Sequence, residues 1–296
     1  MRCSRPLQPE ISDLIVDYEP ATLARRDVAR DTVLAALAGR ARSIASAIPH
    51  TGGLLDRRAV DGILVRSHLE LQRLHEEFRV GEMMKGLLGP LLALVRAATR
   101  ERPIRLVDLG CGMGFVVRWL AARGQLGEDV ELVGADYNLA LVRAAQRLAD
   151  DERLPCRFVA ANAFRLEQPA HVVMSTGVLH HFRGDALPAV FADHDRSGAL
   201  AFLHADIRPS KLAPLGAWIF HQARMREPLA RFDGYWSAVR AHSADDLRAA
   251  VPAAFQLAML DARPGIAGLL RIFQVAIGSR TGDLRAAYAP YGRRLS

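Results

Sequence analysis

The chain has 296 residues, half of them hydrophobic, and a net charge of +7. That is enough to bury one large core with an accessory segment, and it excludes a disordered chain. The charge is borne by arginines interleaved with acids, Lys85 and Lys211 being the only lysines, so a massed polyanion-binding tract is not expected.

Cys3, Cys111 and Cys156 are too few and too far apart for a disulfide framework or a zinc site. No apolar leader opens the chain and no uninterrupted run is long enough to span a bilayer. A soluble protein of the reducing cytoplasm, without a metal, is expected.

In chain order, residues 1 to about 15 read as a loosely held arm. From Glu19-Pro20 the apolar positions Leu23, Val28, Val33, Leu34 and Leu37 recur at three and four, which predicts a helix to about Ala47, ended by Pro49 and Gly52-Gly53. A second helix is predicted from about Arg57 to Phe78. A third runs from about Glu82 to Thr99, interrupted or bent at Gly89-Pro90. Residues 1–99 therefore form an N-terminal helical segment.

Ile104 to Leu120 is the stretch the rest is organised around. An apolar run ending in Asp108 passes through Gly110, Gly112 and Gly114 and continues at helical spacing, which predicts strand, tight turn and helix. The glycines let a ligand approach the main chain, and the helix start offers unpaired N–H groups. A dinucleotide fingerprint would need glycine where Phe115 stands, and no Gly-Lys-Ser or Gly-Lys-Thr follows, so neither pyrophosphate motif is present.

Val107-Asp108-Leu109-Gly110-Cys111-Gly112-Met113-Gly114 instead resembles the first motif of class I methyltransferases that use S-adenosylmethionine (AdoMet). The resemblance implies that Asp108, Gly110, Cys111, Gly112 and Gly114 lie against the methionyl part of that cofactor. It also implies that the helical segment 1–99 covers the cofactor and shapes the acceptor pocket, although a dimer face fits the same pattern.

Val130 to Ala135 is a second buried strand, ending in Asp136, with a helix over Ala140 to Ala149. Asp136 lies just over 20 residues beyond the glycine loop, where an acid at a strand end can accept hydrogen bonds from both ribose hydroxyls. Tyr137 joins it in the expected cofactor site. A third strand, Cys156 to Ala160, leads into Asn162-Ala163, where the family often has Asp-Ala against the adenine amino group. Asn162 also reads as an ordinary turn residue.

The fourth strand ends in Thr176-Gly177-Val178-Leu179-His180-His181-Phe182, which looks like the fourth motif of small-molecule methyltransferases of the quinone-biosynthesis type. Thr176 is assigned to the cofactor site, and His181 and His180 are the candidate catalytic bases. A second reading has one histidine capping the next helix and the other packing without proton transfer. The Asn/Asp-Pro-Pro-aromatic motif of base and glutamine methylation is missing, as is a paired-glutamate loop for a guanidinium.

A fifth strand, Gly198 to His204, is followed by Asp206 and by an insertion, Leu212 to Leu229, with Trp218, Phe220 and Met225. The insertion could line a flat, greasy pocket or pack in the core. Phe232 to Ser243 resembles a run in polyketide- and quinone-type methyltransferases, and Ser243 is a plausible helix cap. His204, Asp206 and Arg240 are further polar candidates. Phe255 to Leu260 and Ile272 to Ile277 are predicted as a closing hairpin around Pro264-Gly265.

The fold class expected is α/β, a Rossmann-like, doubly wound, seven-stranded sheet, mostly parallel with an antiparallel last strand. The AdoMet domain covers residues 100–280, and 281–296 form a peripheral tail. The expected function is methyl transfer to oxygen or carbon of a small, aromatic or hydrophobic acceptor. A catalytically inactive AdoMet-binding scaffold and an RNA methyltransferase are the alternatives. Nucleic acid is not expected as a partner, and a homodimer is compatible with the sequence.

Overall fold

The computed structural model describes residues 9–167, 169–262 and 272–294. The chain divides into two units, one of residues 1–71 with 209–240 and one of residues 72–208 with 241–296. The division at 71/72 falls inside a long helix, α1 (Arg57–Glu77), and α2 (Val80–Ala98) groups with the sheet. The insertion after the fifth strand groups with the N-terminal residues.

The larger unit is built on seven strands: β1 (Ile104–Leu109), β2 (Val130–Asp136), β3 (Cys156–Ala160), β4 (Val172–Thr176), β5 (Ala201–Ile207), β6 (Gln256–Ala262) and β7 (Phe273–Ser279). Their order is β3-β2-β1-β4-β5-β7-β6. The pairings among β1 to β5 are parallel, and β7 runs antiparallel to both β5 and β6. The expected sheet is therefore present.

Helices α3 (Phe115–Arg123), α4 (Leu139–Asp151) and α5 (Ala186–Arg196) follow β1, β2 and β4. Side chains alternate along each strand, so the sheet has two apolar faces. Leu106, Leu132, Met174, Leu203 and Val275 pack with α2, α3 and α4. Val107, Val133, Val173, Phe202 and Ala276 pack on the other face with α5.

In the smaller unit the single helix expected from residue 19 to 47 is replaced by two short ones, Arg30–Ala36 and Gly39–Ser46. Two things hold the preceding segment extended. Arg25 donates to Asp61 at 2.5 Å and Arg57 to Asp27 at 2.8 Å, and Tyr18 bridges Arg25 across a turn. Helical periodicity is overruled by these longer-range pairs.

This unit also contains α6 (Ala213–Arg224) and α7 (Pro228–Val239). Residues 9–15 are not a loose arm: Ile11 and Ile15 are buried. The cause is Asp233 on α7, whose carboxylate accepts from Ile11 N at 2.8 Å and Ser12 N at 2.9 Å, satisfying two of the helix-start donors. Residues 1–8, with Cys3, and the Pro264-Gly265 turn lie outside the described residues.

Helix α8 (Ala244–Ala250) begins at the Ser243 cap foreseen from sequence, with a complete capping box to Asp246. The chain then corrects two expectations together. Pro90 sits inside α2 without ending it, although a proline leaves the carbonyl four residues earlier without its donor. That carbonyl is Gly86 O, and Tyr291 Oη donates to it at 2.5 Å.

Tyr288 Oη donates to Leu87 O at 2.5 Å in the same way. Leu284 and Tyr288 are buried in the core of the larger unit, so the segment after residue 281 is not peripheral. Tyr291→Phe is expected to lower stability by about 1 kcal/mol. Urea unfolding should show a smaller loss for the same change in a Pro90→Ala background, where an N–H is restored; equal losses would contradict the pairing.

Candidate active site

The strand order reverses between β1 and β4, and in open α/β sheets ligands gather beyond the carboxyl ends of the strands at that point. The two loops there touch. Gly110 has φ +67°, and a Cβ on it would fall 2.8 Å from Val178 Cγ2 in the loop after β4. Gly114 has φ +69°, and a Cβ on it would fall 2.2 Å from the Phe158 ring on β3. Neither position accepts a side chain in this backbone.

Asp136 fixes the glycine loop. Its Oδ2 accepts from Gly112 N at 2.9 Å and its Oδ1 from Asn138 N at 2.8 Å, while Gly110 N and Cys111 N donate to Ala135 O at 2.7 and 3.1 Å. Asn138 in turn caps α4. The spacing of acid and glycines noticed in the sequence therefore corresponds to direct hydrogen bonding.

Asp108 is buried beneath the loop and its Oδ1 has no hydrogen-bond partner, and the buried Thr176 Oγ1 has none either. Burial, reinforced by the negative charge of Asp136, lifts the Asp108 carboxyl to about 8. Burial likewise raises the Cys111 thiol, with Asp136 and Asp108 adding to it, which leaves Cys111 a poor nucleophile. The orphaned polar atoms beside a glycine turn that admits no side chain fit a small polar ligand with a cationic group.

Two expected residues lie differently. Asn162 Oδ1 accepts from Phe164 N at 2.9 Å, an Asx turn, with Ala163 half-buried beside it. Tyr137 is largely exposed.

His180 and His181 form a single turn of 3-10 helix after β4. Asp206, at the end of neighbouring β5, accepts from His180 N at 2.9 Å and meets His180 Nδ1 at 2.8 Å. Burial works to raise the Asp206 carboxyl, but the His180 charge and three hydrogen bonds, from the His180 ring, Ile207 N and His180 N, hold it below its ordinary value. Asp206 is therefore ionised and Nδ1–H donates to it, which puts the lone pair of the neutral tautomer on Nε2. The His181 ring lies against that of His180, tilted by 35° with centroids 4.4 Å apart, and is half-buried.

The turn is held from behind. His242 Nε2–H donates to Leu179 O at 3.0 Å and Phe182 O at 2.8 Å, and Gln274 Nε2 donates to His242 O at 2.5 Å. The His242 and Gln274 contacts were not anticipated from the sequence; no short-range pattern marks them.

Two other sequence candidates are elsewhere. His204 is buried among Phe191, Phe202 and His194, bonded to Ser175 Oγ at 2.8 Å and to His194 Nε2 at 2.9 Å. Burial pushes His194 down to about 3, and burial with the His194 charge pushes His204 well down too, so both are neutral core residues. Arg240 belongs to the smaller unit, where it pairs with Glu10 at 3.2 Å and Asp13 at 2.7 Å.

Because the folded Asp108 carboxyl holds its proton to about 8, while an unfolded aspartate loses it near ~3.9, its contribution is complete in acid and is lost as pH rises through the folded value. Asp108→Asn is expected to gain on the parent as pH rises above about 4, the gap growing to several kcal/mol by the folded value of about 8. Urea titrations at acid and alkaline pH should show the gap widening toward alkali; a constant gap would contradict the buried proton.

Comparison with known proteins follows this geometry. Residues 106–197 match a methyltransferase domain family. The chain is similar to a trans-aconitate 2-methyltransferase of Pseudomonas aeruginosa, 35% identical over 104 residues, which are 33% of this chain and 35% of that protein. The chain therefore matches only about a third of this relative's length.

Among solved structures, a plantazolicin methyltransferase in complex with a monoazolic desmethylPZN analog and SAH is similar at a TM-score of 0.52 and 9% identity, over 76% of this chain and 99% of that one. The SAH-bound magnesium protoporphyrin IX methyltransferase of Synechocystis PCC 6803 is similar at 0.49 and 16%, over 76% and 100%. Residues 106–197 are thus those of a methyltransferase domain by sequence, and the sheet that holds them has the fold of the plantazolicin methyltransferase.

Proposed function

We propose that this protein transfers the methyl group of AdoMet to an oxygen or carbon of a small, apolar acceptor, with His180 as the base and Asp206 holding its tautomer. The observation that carries the reading is the pairing of buried Asp206 with both His180 N and Nδ1, 2.9 and 2.8 Å apart, on the loop that touches the glycine turn through Val178.

In this reading Gly110, Cys111, Gly112 and Gly114 present main chain to the cofactor, and Asp108 and Thr176 offer their unpartnered oxygens to its polar end. Asp136, with Tyr137 beside it, takes the ribose, and Asn162 and Ala163 border the base. AdoMet supplies a methyl group on a sulfonium, an electrophile whose leaving group departs neutral. The protein has then to align the acceptor and remove its proton. His180 Nε2 is the lone-pair nitrogen, and the imidazolium formed when it takes a proton is stabilised by the Asp206 carboxylate. His181 lies against that ring and positions it.

A small acceptor is supported by the absence of the planar-nitrogen motif at Ser175-Thr176-Gly177-Val178. The reading places the protein in the cytoplasm. Incubation with methyl-labelled AdoMet and separate pools of small metabolites and RNA tests it: label is expected in the metabolite pool. Label in RNA alone, or AdoMet binding without any transfer, would replace the reading.

Two variants separate the roles. His180→Gln is expected to lower turnover by about 10²- to 10⁴-fold with AdoMet affinity kept, and an unchanged rate would discard the base. Asp136→Ala is expected to weaken AdoMet by roughly 1 to 3 kcal/mol in calorimetry; equal affinity would remove Asp136 from the cofactor site.

A further inference from the structure

Between Asp206 and Glu227 the chain has no acidic residue, and Arg208, Lys211, Arg224 and Arg226 all fall in that interval. At its centre is α6, of whose twelve residues none is buried. A helix in a folded domain normally turns an apolar stripe to the core. This one does the reverse: Leu212, just before it, is 73% exposed, Leu215 and Ile219 each 54% and Trp218 46%.

These four are half of the eight exposed large hydrophobic residues among those described, so the apolar surface is concentrated in one patch. Spacings of three and four put Leu212, Leu215 and Ile219 on one face, with Trp218 at its edge.

The exposure does not come from loose attachment. On the other side of α6, His221 Nδ1–H donates to Ala230 O of α7 at 2.9 Å. The same ring fills the space beside Gly234, where a Cβ would fall 2.0 Å from it. Helix α6 is thus fixed to α7 by His221, and its greasy face is held outward. Lys211 and Arg226, at its two ends, are exposed.

An apolar face with a tryptophan at its margin and cations at both ends matches an anionic bilayer surface, where the side chains enter the headgroup boundary and the cations meet phosphates. A second copy of the same face would oppose cations to cations. Among the described residues no helix is long and apolar enough to cross a membrane, so the contact is with the surface. We propose that α6 is an interfacial anchor, laying Leu212, Leu215, Trp218 and Ile219 into an anionic lipid surface, with Lys211 and Arg226 on the headgroups.

The test is cosedimentation of the full chain with vesicles of phosphatidylcholine alone or mixed equally with phosphatidylglycerol, without AdoMet, so that the outcome is independent of the catalytic reading. Binding to the mixed vesicles only, weakening with salt, is expected. Leu215→Ser combined with Ile219→Ser should reduce it more than about tenfold, and Lys211→Gln and Arg226→Gln by about fivefold each, with circular dichroism unchanged.

Failure to prefer anionic vesicles, or binding unaffected by the serine pair, would overturn the proposal. A chain that is dimeric without lipid, becomes monomeric with the serine pair and ignores vesicles would assign the face to a second copy and overturn it as well.

Discussion

One buried carboxylate organises the larger unit's ligand end. Asp136 accepts from Gly112 N and Asn138 N, so a single side chain sets both the turn after β1 and the start of α4. Backbone donors in a turn that points away from water need partners, and here the partner comes from the neighbouring strand. The cost is a second acid, Asp108, buried nearby and held at about 8, first by its burial and then by the charge of Asp136. A site that stores an unfavourable carboxyl is one where a cation is worth most.

The same logic recurs on β5. Asp206 is buried, yet stays ionised because His180 and Ile207 supply charge and hydrogen bonds. The His180 tautomer is decided by that contact, while the peptide carbonyls around it are held by His242. Geometry around the histidine is thus set from two sides.

What could be read in the sequence was what depends on near neighbours. The glycine turn after β1, the place of Asp136 at the end of β2, the strand-and-helix alternation and the Ser243 cap have local signatures, and the structure has each element there; the cofactor roles of the glycines and Asp136 belong to the proposal. His180 could be named from its motif, but the proposal's choice of it over His181 could not. That choice rests on Asp206, 26 residues away, brought alongside because β4 and β5 pair with Thr176 opposite Ala205.

The N-terminal helix was misjudged for the converse reason. The periodicity from Leu23 to Leu37 is real, but Arg25, Asp27, Arg57 and Asp61 form cross-chain pairs that override it. The insertion from Leu212 to Leu229 divides: Met225 and Leu229 are buried, as a core segment would be, but α6 has no buried residue, which no aromatic count in the sequence distinguishes.

The bond from Tyr291 to Gly86 spans 205 positions. A ribosome delivers α2 long before it delivers the tyrosine, so during synthesis the helix waits with one carbonyl open and an apolar flank uncovered where Leu284 and Tyr288 will later sit. Contacts of such separation form late. The nascent domain therefore closes only when Tyr288 and Tyr291 emerge, and a chain stopped before them has a sheet that is nearly whole but lacks its final clasp.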